Sequence, residues 1–130
     1  MPWRGAFGIF FILKIIIAER GLAMETEYHM DKQELVVPMP QELDHHAAKT
    51  LGRELDFLVD SWQIKRLVLD FDNTRFMDSS GIGVIIGRKK TMDLYGGQLQ
   101  VIHLGDRVRQ IFEKSGLLRL VETADSGEER

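Results

Sequence analysis

Asp78, Ser79 and Ser80 are three polar side chains set between two apolar stretches. Before them Arg66-Leu-Val-Leu-Asp-Phe71 and a polar turn at 72–75 read as a strand covered on both faces and its exit. After them Ile82, Ile85 and Ile86 recur at helical spacing. The serines therefore stand where a strand hands over to a helix. The first turn of a helix leaves backbone N–H groups unpaired, and a Ser or Asp at the cap accepts from them. The same donors favour a phosphate carried on Ser79 or Ser80. Neither a Gly-x-Ser-x-Gly elbow nor a strand-linked acid and histidine in triad order accompanies the pair. A serine displayed without an activating base reads as a substrate rather than a nucleophile. The plainer alternative is that all three residues only cap and turn.

Glycines weigh against that alternative. Gly81, Gly83 and Gly87 fall in the first turns of the helix, and each interior glycine costs roughly 1 kcal/mol relative to alanine. Gly83 and Gly87, four apart, share a face. Either a partner's backbone or a neighbouring helix of the same domain comes close there. Upstream, Asp44-His45-His46 contains metal-ligand types, but adjacent histidines diverge and no further ligand follows at metal spacing. Asp44 is expected to cap a helix, with the histidines facing solvent or a partner. Gly81-x-Gly83-x-x-x-Gly87 misses the dinucleotide fingerprint by one position and lacks the acid that should follow. Arg88-Lys89-Lys90 and Arg107 with Arg109 read as solvated helix faces, or as contacts to an acidic patch on a partner. No metal or cofactor is expected.

The elements that position these residues follow from the pattern. Glu25 to Met30 and Glu34 to Met39 read as a hairpin turning at 31–33, with Pro38 and Pro40 limiting where the second strand pairs. Ala47, Leu51, Leu55, Leu58 and Trp62 recur every three or four residues, which predicts a helix from about His45 to Ser61. Gly96-Gly97 breaks the chain before a strand from Gln98 to His103. A last helix from Asp106 to Ser115 turns Val108, Ile111 and Phe112 inward and ends at Gly116. Arg119 to Val121 is expected to complete the sheet. These alternations predict an α/β domain: a mixed, mostly parallel β-sheet with crossover helices and an N-terminal hairpin.

Composition bounds the partners. A chain of 130 residues with 44% hydrophobic content suits one domain with an adequate core. Lys and Arg total 17 against 20 Asp and Glu, so no overall basic field favours nucleic acid. Cysteine is absent, which excludes disulfide frameworks and thiolate metal sites. Ala6 to Ala18 is strongly apolar, yet it is shorter than the roughly 20 residues a membrane span needs and carries Lys14. A weak signal peptide is one reading of it. The preferred expectation is an extension over residues 1–23 from a mis-assigned start, with translation beginning at Met24: Glu19-Arg20-Gly21 can be encoded by a purine-rich string like a ribosome-binding site. The domain is then expected over 24–122, with a polar, frayed tail over 123–130.

Phe76-Met-Asp-Ser-Ser-Gly-Ile-Gly-Val-Ile-Ile-Gly-Arg-Lys-Lys90, preceded by Glu42-Leu-Asp-His-His-Ala47, resembles the anti-sigma factor antagonists of the STAS fold. Within them it is most similar to the sporulation members that act on the anti-sigma F kinase. The resemblance runs from about Met24 to Val121, with Pro40 and Gln41 where a glycine commonly stands. It implies a single STAS-type domain and no catalysis. It further implies that a partner anti-sigma factor serine kinase phosphorylates Ser79, that the unphosphorylated chain binds this kinase and frees the sigma factor, and that a phosphatase resets the switch. Asp44, His45, His46, Asp78, Ser80, Gly81, Gly83, Gly87 and Arg88 are expected to surround Ser79 in the partner contact. A cytoplasmic protein with no direct nucleic-acid contact and no stable membrane association is implied as well. The alternative is a STAS domain of another signalling or transporter-associated system.

Overall fold

The computed structural model describes residues 29–31 and 33–124. The apolar stretch from Ala6 to Ala18, the expected start at Met24 and the first half of the expected hairpin strand lie outside them. In chain order the elements are β1 (His29–Asp31), β2 (Glu34–Pro38), β3 (Glu42–Leu43), α1 (His45–Trp62), β4 (Arg66–Asp70), β5 (Phe76–Met77), α2 (Ser79–Leu94), β6 (Gln98–Ile102), α3 (Asp106–Ser115), a 3-10 turn (Leu117–Arg119) and β7 (Glu122–Ala124).

Five strands form the main sheet in the order β1-β2-β4-β6-β7. Only the β1–β2 hairpin is antiparallel; β2, β4, β6 and β7 run parallel to one another. Each parallel step needs a crossover, which the helices supply. The register sets Leu35 beside Leu67 and Leu99, and Val37 beside Leu69 and Val101. All six are buried, and side chains two apart share a face, so this row is the sheet's half of the core. Leu51, Leu55 and Leu58 of α1, Val84, Ile85 and Met92 of α2, and Val108 and Phe112 of α3 complete the cluster. Phe112 meets Phe71 edge to face at 5.5 Å, the geometry that the ring quadrupoles favour.

The helices lie close to where periodicity predicts them; the last strand does not. Leu117–Arg119 winds into the 3-10 turn and the strand is Glu122–Ala124, displacing the expected Arg119 to Val121. Leu117 and Val121 are buried while Arg119 between them is exposed, a pattern that serves a helical turn and not a strand, in which all three would share one face. Pro38 ends β2 on the side where β1's described pairing has already stopped at Val36, so its missing N–H leaves no rung open there.

Candidate functional site

A second, two-stranded sheet decides how the site is built. β3 and β5 pair in parallel, Glu42 beside Phe76 and Leu43 beside Met77. The loops that lead into them are tied together. Thr74 is buried and its hydroxyl donates to the Pro40 carbonyl at 2.9 Å, and the N–H groups of Arg75 and Phe76 both donate to Gln41 O. Pro40 and Gln41 thus serve as acceptors in the clamp.

Each short strand then runs into an aspartate and a helix. Asp44 lies in extended backbone (φ −96°, ψ −173°) and Asp78 likewise (φ −106°, ψ −169°). The Asp44 carboxylate accepts from Ala47 N at 3.0 Å, and that of Asp78 from Ser80 N at 2.8 Å. Both aspartates are helix caps; the sequence predicts this for Asp44 and leaves the second cap open among Asp78, Ser79 and Ser80. Pairing the strands in register sets the two N-termini side by side, so the positive ends of two helix dipoles flank one surface.

The two serines differ in their surroundings. Ser79 is exposed, whereas Ser80 is half-buried and its Oγ lies 3.3 Å from His45 Nδ1. Sequence reasoning found no base near these hydroxyls; the fold brings one. This does not make a nucleophile, because a serine–histidine pair needs a third group to orient the imidazole, and the adjacent Asp44 carboxylate is engaged in the cap. His46 is exposed and, among the described residues, shares no hydrogen bond or ion pair with the other predicted site residues. No three His, Cys, Asp or Glu side chains gather around a metal-sized centre among the described residues.

The glycines separate into two kinds. A Cβ on Gly81 would lie 2.4 Å from Met77 Cγ and 3.0 Å from Leu43, so Gly81 is a packing residue beneath the caps. Gly83 and Gly87 face open space. Tight packing against the described residues therefore does not account for them.

Arg88 is not a solvated helix face. It is 9% exposed and crosses to α1, where Nη2 donates to Asp56 Oδ2 at 3.1 Å and Nε stands 3.0 Å from Oδ1 without hydrogen-bond alignment. Thr91 adds a hydroxyl to the same carboxylate at 3.0 Å. Burial lowers the Arg88 guanidinium from its ordinary value, and Asp56 acts in the opposite direction. The guanidinium passes over Gly52, where a Cβ would stand 2.7 Å from Nη1. Gly52 and Asp56 were missed by sequence reasoning. At the far end of the same helix pair Tyr95 donates to Asp60 at 3.0 Å, and this bond raises the phenol above its ordinary value.

A crossover sheet, paired caps and a displayed serine define an α/β domain with two helix starts on one surface. The profile of the STAS domain matches residues 23–129. An anti-sigma F factor antagonist of Paenibacillus polymyxa is 34% identical over 106 residues, covering 82% of this chain and 89% of that one. An anti-sigma-B factor antagonist of Bacillus subtilis strain 168 is 25% identical over 105 residues, 81% of this chain and 94% of the relative. The solved phosphorylated form of SpoIIAA, a Bacillus cell fate determinant, superposes with a TM-score of 0.64 at 25% identity, covering 80% of this chain and 95% of that one. The chain belongs to the STAS-domain family and groups there with the anti-sigma factor antagonists. These relatives are named as antagonists of regulatory factors, not as enzymes. No helix among the described residues is long and apolar enough to cross a membrane.

Proposed function

We propose that this chain is an anti-anti-sigma factor switched by phosphorylation of Ser79. The unphosphorylated form binds an anti-sigma F serine kinase and releases the sporulation sigma factor; the phosphorylated form lets go until a phosphatase removes the group. The setting is cytoplasmic and the contacts are between proteins. One observation carries the reading: Ser79 is the exposed hydroxyl at the start of α2, beside a glycine face that nothing among the described residues fills. A phosphate there adds about −1.5 to −2 charges next to the Asp78 carboxylate. Repulsion and desolvation then oppose docking, while the helix N-terminus stabilises the dianion in the free protein.

The test is competition. Unphosphorylated chain added to a preformed complex of the anti-sigma F kinase and its sigma factor is expected to release the sigma factor, and chain pretreated with kinase and ATP is not. Sigma factor that stays bound in both cases overturns the proposal.

A further inference from the structure

We propose that His45 is a positioning residue that reserves Ser80, so that of two adjacent hydroxyls only Ser79 is presented for phosphate. This rests on the reading of Ser79 as the residue phosphorylated in the switch. The two serines are neighbours in the first turn of one helix, so residue type alone does not choose between them. Their surroundings do. Ser79 is exposed, whereas Ser80 is half-buried, its N–H donates to Asp78 Oδ1 at 2.8 Å, and its Oγ lies 3.3 Å from His45 Nδ1. A groove of about 470 Å³ runs between α1 and α2; Ser80 and His45 are among the residues that line it, and Ser79 is not.

The contact is diagonal. β3 and β5 pair Leu43 with Met77, so His45, the first residue of α1, corresponds in register to Ser79, the first residue of α2. Its imidazole nevertheless meets the next hydroxyl. If Nδ1 carries the proton it engages a lone pair of Ser80 Oγ; if it does not, it draws the hydroxyl proton toward α1. Either tautomer directs the Ser80 hydroxyl across the groove. In the transfer itself the Ser79 Oγ–phosphorus bond forms, the bond from the γ-phosphorus to the bridging oxygen of ATP breaks, ADP leaves, and the serine proton passes to a base of the kinase. That step needs the attacking oxygen in line and its proton free. Ser80 has to release His45 first, which a hydrogen bond of ordinary strength disfavours roughly 2- to 10-fold. His45 does not instead activate Ser80: among the described residues no side chain orients the imidazole, and the Asp44 carboxylate is engaged in the cap.

The test is the division of phosphate between the two serines. The full chain and its His45→Ala and His45→Asn variants are each incubated with the anti-sigma F kinase and ATP, and phosphate on Ser79 and on Ser80 is counted by quantitative mass spectrometry. The ratio of the two sites within one variant does not depend on how tightly that variant binds the kinase. His45→Ala is expected to raise the Ser80 share roughly 2- to 10-fold. His45→Asn, whose amide stands near the place of Nδ1, is expected to return that share toward wild type. An unchanged ratio in His45→Ala overturns this inference and leaves the switch standing; wild type with no phosphate on Ser79 overturns both. A second measurement needs no kinase. Ser80→Ala is expected to move the His45 Nδ1 resonance in a proton–nitrogen-15 spectrum, while Ser79→Ala leaves it in place. A His45 resonance unmoved by Ser80→Ala overturns the contact and the inference with it.

Discussion

At the start of α1 the chain reads Leu43-Asp44-His45-His46, and at the start of α2 it reads Met77-Asp78-Ser79-Ser80, with the leading strands paired residue for residue. Both aspartates take the same extended backbone and close the first turn with the same carboxylate. The two helices differ beyond the caps. α1 presents imidazoles and buries one face continuously through Leu51, Leu55 and Leu58. α2 presents hydroxyls, and its open glycines forgo roughly 1 kcal/mol each of helix stability. The unequal propensity cost on a shared scaffold supports the proposed partner contact on α2's outer face, whereas α1's apolar face is explained by the described core.

The largest expected contrast is in binding. Ser79→Ala should still bind the kinase, while Ser79→Asp should bind about 5- to 150-fold more weakly, the range of a coupling of 1 to 3 kcal/mol; calorimetric titration of both variants measures it. Equal affinities would remove charge as the reason the two helix starts differ. Next in size is the packing beneath them. Gly81→Ala drives a methyl into Met77 and Leu43 and should cost about 2 kcal/mol in urea unfolding. Asp56→Ala leaves the buried Arg88 without its ion-pair partner; because the Asp56 side chain is 46% exposed, the loss should be about 1–3 kcal/mol rather than that of a fully buried pair.

Smaller effects test whether the starts are equivalent. Asp44→Ala and Asp78→Ala each remove one cap bond and should cost about 1 kcal/mol apiece; a marked inequality in chemical denaturation would show that the shared scaffold does not bear equally on both helices. The smallest change is a gain. Gly83→Ala meets no neighbour and should stabilise the free protein by up to about 1 kcal/mol, yet weaken kinase binding. A stabilised variant that binds normally would free the glycine face from any partner role.

The larger elements of this comparison were legible in the sequence. The Asp44 cap, both helices and the parallel crossovers follow from apolar spacing and cap chemistry, while the second cap stayed open among Asp78, Ser79 and Ser80. What joins the caps was not, because β3 and β5 are two residues each and so short a strand carries no periodicity. Without that pairing nothing predicts that His45 meets Ser80. Arg88 was misread for another reason: in Arg88-Lys89-Lys90 three like charges look equally solvated. Its place four from both Val84 and Met92, on the buried face, was the available signal. β7 escaped because Glu122-Thr123-Ala124 is a polar edge strand whose composition matches a tail.

The most direct test of the account is to incubate the chain with the anti-sigma F kinase and ATP and to locate the added phosphate by mass spectrometry. The account predicts phosphate on Ser79, the exposed hydroxyl, with Ser80 unmodified beside His45. Phosphate on Ser80, or a folded chain left unmodified, would contradict it.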